Sequence, residues 1–112
     1  MTFWAAWILA LAVTVLAHEA GHATVAQALG LPWKPTLTRH GPGVRIGSDR
    51  IVLTRPEIVA TALGGPAANL LLVLVGYELG WPLLMLFGLD FALFNLLPFK
   101  RSDGSRIFGL AA

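Results

Sequence analysis

The chain has 112 residues, 56% of them hydrophobic and 12% charged, with a formal net charge of +2. A soluble domain carries about 25% charged residues, and one this small hides only about 60–70% of the surface its unfolded chain exposes. The composition therefore excludes an ordinary soluble domain, a disordered tail and a nucleic-acid binder, and it fits a protein of the bilayer.

Met1 to Ala17 carries no charge, and the apolar pattern continues past His18, Glu19 and His22 to Leu31, where Pro32 ends it. A helix over about 2–30 would be roughly 40 Å long, enough to cross a bilayer. The competing reading, a cleaved signal peptide, fits poorly because no basic n-region precedes the long apolar run. Residues 32–57 change character. Lys34, Arg39, His40, Arg45, Asp49, Arg50, Arg55 and Glu57 fall there among prolines and glycines. Val44-Arg45-Ile46 and Arg50-Ile51-Val52-Leu53-Thr54 are β-branched runs separated by Gly47-Ser48-Asp49. They predict a β-hairpin or small meander over about 36–55, with the turn at 47–49.

Ile58 to Tyr77 is uncharged and long enough for a second span. Glu78-Leu79-Gly80 reads as a short turn, and 81–99 as a third span with Asp90 in its middle and Pro98 near its end. The expected fold is one membrane all-α domain over 1–112, with three transmembrane helices and a β-hairpin between the first two. All eight Lys and Arg residues fall in the 32–57 loop or in the tail after residue 99. The positive-inside rule then predicts a multi-pass protein of the cell membrane, with its N-terminus outside and its C-terminus in the cytoplasm.

Ionisable residues at membrane depth are costly and point to function. His18-Glu19-Ala20-Gly21-His22 has the form H-E-x-x-H. Residues four apart share a helix face, so both imidazoles can address one metal ion, and Glu19 beside them suits a general base. The competing reading is a hydrogen-bonded polar cluster joining helices. Catalytic zinc takes three protein ligands and an open position. No cysteine is present, so the third ligand is His, Asp or Glu. His40 lies in the loop as a surface residue, Asp90 lies mid-span, and Asp103 follows the third span. In a three-span topology His18, His22, the start of the second span with Gly64-Gly65-Pro66-Ala67-Ala68-Asn69, and Asp103 reach one depth near the cytoplasmic face.

With those residues in view, the chain resembles the site-2 protease family of intramembrane zinc metalloproteases. Three ordered motifs carry the resemblance: His18-Glu19-Ala20-Gly21-His22, Gly65-Pro66-Ala67-Ala68-Asn69, and Asn95-Leu96-Leu97-Pro98 followed by Asp103-Gly104. Ser102 before Asp103, and Phe99-Lys100-Arg101 after Pro98, depart from the family pattern. The resemblance implies that His18, His22 and Asp103 bind one zinc ion and that Glu19 is the catalytic base. It also implies that Asn69 and Asn95 contact substrate backbone or the developing oxyanion, with interhelical hydrogen bonding as the other reading of each. The hairpin would present a strand edge to an extended substrate. The expected partners are a transmembrane protein substrate, the lipid bilayer and, because three helices make a thin wall around a polar site, a second copy of the chain. No nucleic acid is expected. A non-enzymatic zinc-binding membrane protein and a metal-free helical scaffold are the rivals. Asp90 matches no motif of the family.

Overall fold

A computed structural model describes residues 2–38, 41–48, 50, 52–97 and 103. The element order is α1 (Phe3–Ala28), β1 (Trp33–Thr38), β2 (Gly41–Ile46), α2 (Arg55–Leu79) and α3 (Pro82–Leu96). The loop residue His40, considered above as a surface side chain, lies outside the described residues.

Helix α1 begins at Thr2, whose hydroxyl accepts from the Ala5 N–H at 3.1 Å. It ends because Gly30 adopts φ +72°, a left-handed conformation that a side chain would oppose. The Leu31 N–H then reaches back to the Ala26 carbonyl at 2.9 Å, closing a Schellman motif. Helix α2 starts three residues before the expected span. Thr54 and Glu57 form a capping box, and Pro56 in the first turn has no N–H to leave unsatisfied.

Among the described residues two helices, α1 and α2, are long and apolar enough to cross a membrane. At 26 and 25 residues they extend about 39 and 37 Å, against a hydrocarbon core of about 30 Å. The third expected span is corrected. Helix α3 has 15 residues, or about 22 Å. Pro82 opens it, and Leu97 is already extended at ψ 146°, the conformation that the following Pro98 favours in its predecessor.

The hairpin is also corrected. β1 pairs antiparallel with β2 in the register Trp33↔Ile46, Pro35↔Val44 and Leu37↔Pro42, so the chain reverses between residues 38 and 41 and not at 47–49. This register puts Trp33, Pro35, Leu37, Pro42, Val44 and Ile46 on one face of the ribbon. The Trp33 indole N–H also donates to Gln27 Oε1 at 3.0 Å, tying the ribbon to α1. A two-stranded sheet leaves every strand an open edge, where proline is tolerated. Val52 to Thr54 forms no strand, because Thr54 is recruited as the cap of α2.

The polarity of the bundle is inverted relative to a water-soluble one. The buried stripe of α1 is Ala10, Thr14, His18, His22 and Ala26, spaced by four. It faces Thr61, Gly65 and Asn69 of α2, while Ile8, Leu16, Leu70, Leu71 and Leu74 point outward. Small and polar residues inside with large apolar ones outside is the arrangement of helices packed in lipid.

Candidate metal centre

Helices α1 and α2 meet at glycine. A Cβ on Gly21 would run into the Gly64 carbonyl oxygen, and one on Gly64 would lie 2.5 Å from the Gly21 carbonyl oxygen. This close approach brings Gly65 under the two imidazoles. A Cβ there would lie 2.5 Å from His22 Nε2 and 2.6 Å from His18 Cε1.

The same contact supplies the groups that orient each ring. His22 Nδ1–H donates to the Thr61 carbonyl at 2.6 Å. His18 Nδ1–H donates to Asn69 Oδ1 at 2.7 Å. The Asn69 amide is itself fixed, since its Nδ2 donates to the Thr14 carbonyl at 3.1 Å. A carbonyl can only accept, so both rings carry hydrogen on Nδ1 and, when neutral, present the Nε2 lone pair to the interior. The two Nε2 atoms lie 3.1 Å apart. Asp103 Oδ2 lies 3.2 Å from His18 Nε2 and 3.3 Å from His22 Nε2. All three side chains are buried.

Three electron-pair donors thus converge on one point, an arrangement that is repulsive without a cation among them. The spacing fits a metal. Ligand atoms about 2.0–2.1 Å from a tetrahedral ion stand about 3.3 Å from one another. His18, His22 and Asp103 form a group that could hold a metal ion. Each imidazole is backed by an acceptor on its remote nitrogen, the usual support of a metal-bound histidine. Asn69→Ala is expected to weaken metal binding about 10- to 100-fold, measured by competition with a chromophoric chelator. Unchanged affinity would mean that Asn69 does not orient His18.

Glu19 lies next to His18 but outside this group. It is half-buried and, among the described residues, is the one charged side chain lining a groove of about 810 Å³ between α1 and the hairpin. Asn69 is fully buried and occupied on both sides by α1. Asn95 is placed elsewhere. Its Nδ2 donates to the Phe91 carbonyl at 2.8 Å, and it lines a separate cavity with Asp90. Sequence reading missed the Thr14 and Thr61 carbonyls. It registered Gly64-Gly65 without the role they have here, although small residues opposite an H-x-x-x-H face are a signal for close helix approach.

Fold and site together define a helical chain with two described helices long enough for a membrane and a buried two-histidine, one-carboxylate group able to hold a metal. No protein-family profile matches the chain. A curated relative from Synechocystis sp. (strain ATCC 27184 / PCC 6803 / Kazusa), named "Putative zinc metalloprotease sll0528", is 34% identical over 119 aligned positions. The alignment covers 90% of this chain and 31% of that protein, so the chain spans about a third of the relative's length.

Proposed function

We propose that this protein is a zinc-dependent intramembrane endopeptidase of the site-2 protease type, hydrolysing peptide bonds in or near transmembrane segments of membrane proteins. The observation that carries this reading is the convergence of His18 Nε2, His22 Nε2 and Asp103 Oδ2, with mutual distances of 3.1–3.3 Å, against a helix apolar enough to cross a bilayer. The name of the Synechocystis relative supports the metalloprotease part of the reading. The three sequence motifs support its intramembrane type.

Two imidazoles and a carboxylate are a donor set suited to zinc, and three protein ligands are the number that catalytic sites use. A zinc ion held there would polarise the scissile carbonyl and lower the pKa of a coordinated water. Glu19 accepts the proton of the attacking water and returns it to the departing amine nitrogen. Asn69 and the Thr61 carbonyl keep both rings in the tautomer that leaves Nε2 open. A peptide bond inside a helix is shielded by its own hydrogen bonds, so the substrate must unwind locally. The groove beside Glu19 is bounded by α1 on one side and by Trp33, Pro35, Pro42 and Val44 on the other. It offers apolar walls to side chains and, through the hairpin edge, backbone partners to an extended segment. In this reading the chain sits in the cell membrane with its N-terminus outside and its metal centre toward the cytoplasm.

Purified protein in proteoliposomes is expected to cleave a designed transmembrane peptide. Cleavage should stop with a chelator and return with zinc. Asp103→Ala should reduce bound metal from one ion per chain to a small fraction and abolish cleavage, read by elemental analysis and mass spectrometry. Metal binding without any chelator-sensitive cleavage would favour the non-enzymatic zinc protein instead.

A further inference from the structure

Helix α3 has the sequence PLLMLFGLDFALFNL, in which only Asp90 and Asn95 are polar. The fold directs both to one place. They line a cavity of about 350 Å³ together with Leu11 of α1 and with Phe87, Phe91 and Phe94 of α3. That size falls within the range of about 300–1,000 Å³ typical of ligand pockets. Asp90 and Asn95 are both half-buried.

Acceptor atoms outnumber donors among the described groups of this cavity. Asp90 contributes a carboxylate, which accepts hydrogen bonds when ionised. Asn95 donates one Nδ2 hydrogen to the Phe91 carbonyl and retains Oδ1 as an acceptor beside its second N–H. Among the described residues none that lines it is basic, and three are phenylalanines, whose ring faces attract cations. The cavity also adjoins the metal centre. The Phe91 ring, one of its walls, stands edge-on to the His18 ring with centroids 6.2 Å apart. A carboxylate in an apolar helix is costly unless it meets a partner.

We propose that the Asp90–Asn95 cavity is a specificity subsite that takes one cationic side chain, lysine or arginine, from the transmembrane segment of the substrate. The proposal rests on the peptidase reading above and names the class of substrate that reading leaves open. The ammonium or guanidinium group sits against the Asp90 carboxylate and Asn95 Oδ1, with its aliphatic stem among Leu11 and the phenylalanines. Segments bearing a buried basic residue at the matching distance from the scissile bond are thereby selected over uniformly apolar ones.

The test uses designed transmembrane peptides in proteoliposomes, each with a single lysine at a successive position, compared with methionine at the same position. Wild-type protein reports cleavage, and Glu19→Gln reports binding by fluorescence without turnover. In one narrow window of positions, lysine is expected to improve kcat/KM and binding about tenfold or more, the equivalent of one charged hydrogen bond. Asp90→Asn should remove that preference, Asp90→Glu should retain it, and Asp90→Lys should transfer it to a glutamate-bearing peptide. Metal content equal to wild type certifies that each variant is folded. Should Asp90→Asn not fold, the lysine–methionine comparison on the wild-type chain decides alone. Equal affinity for lysine and methionine peptides at every position, or a preference that survives Asp90→Asn, overturns the subsite. Lysine-dependent binding with no cleavage of any peptide overturns the peptidase reading and leaves the subsite standing.

Discussion

Glu19→Gln is expected to keep one metal ion per chain and to slow cleavage of a transmembrane peptide about a hundredfold to ten-thousandfold, the usual contribution of a positioned general base. The two halves of this result separate because Glu19 is not one of the three converging donors. Those are His18, His22 and Asp103, while Glu19 lines the groove between α1 and the hairpin. Glutamine preserves size and can hydrogen-bond, but it cannot take a proton from water at neutral pH. Metal content comes from elemental analysis and rate from single-turnover cleavage in proteoliposomes. Loss of metal in the variant would make Glu19 a ligand. Full activity would remove it from the mechanism.

The second large effect is expected at a residue with no functional group. Gly65→Ala should abolish stoichiometric metal binding and destabilise the packing of α1 on α2. The added methyl would lie 2.5 Å from His22 Nε2, 2.6 Å from His18 Cε1 and 2.7 Å from His22 Cε1. Either the helices separate or the rings rotate. Overpacking of this kind costs about 1–3 kcal/mol, and ring rotation breaks the hydrogen bonds to Thr61 and Asn69 that aim both Nε2 atoms inward. Gly43→Ala is the matched control, since its added methyl meets only Thr36 Oγ1 at an ordinary 3.4 Å. Metal stoichiometry and thermal unfolding in detergent distinguish the two. A Gly65→Ala variant that binds metal as wild type would show that the helix contact does not shape the centre.

The helices were the most legible part of the fold. Charge-free runs and Pro32 lie on the surface of the sequence, and the observed starts and ends of α1 and α2 fall within a few residues of expectation. The errors came where local signals competed. Thr54 belongs to a β-branched run and is also an N-cap, and the capping box won because it satisfies the first amides of α2. Gly47 looked like a hairpin turn, but the ribbon closes earlier, in the register that places its apolar residues on one face and lets Trp33 reach Gln27. For the third span, hydropathy ran to residue 99 while proline sterics ended α3 at Leu96.

The site was legible as a set of chemical types and illegible as a geometry. His18, His22 and Asp103 stand out because charged and imidazole groups are rare in so apolar a chain. Asn69 stood out as polar too, yet its partners do not follow from its own neighbours in sequence. They are Thr14 and His18, more than fifty positions away.

Composition and periodicity alone determined that this protein is helical and apolar on the outside, and that two histidines four apart share one face of the first helix. Those features depend on residue type and on the fixed pitch of a helix, which every sequence carries within itself. Only the tertiary structure decided which backbone and side-chain groups orient the histidines, and that Asp90 and Asn95 open on one cavity. The first depends on how closely α1 and α2 approach, a distance set by Gly21 and Gly64 meeting across the contact.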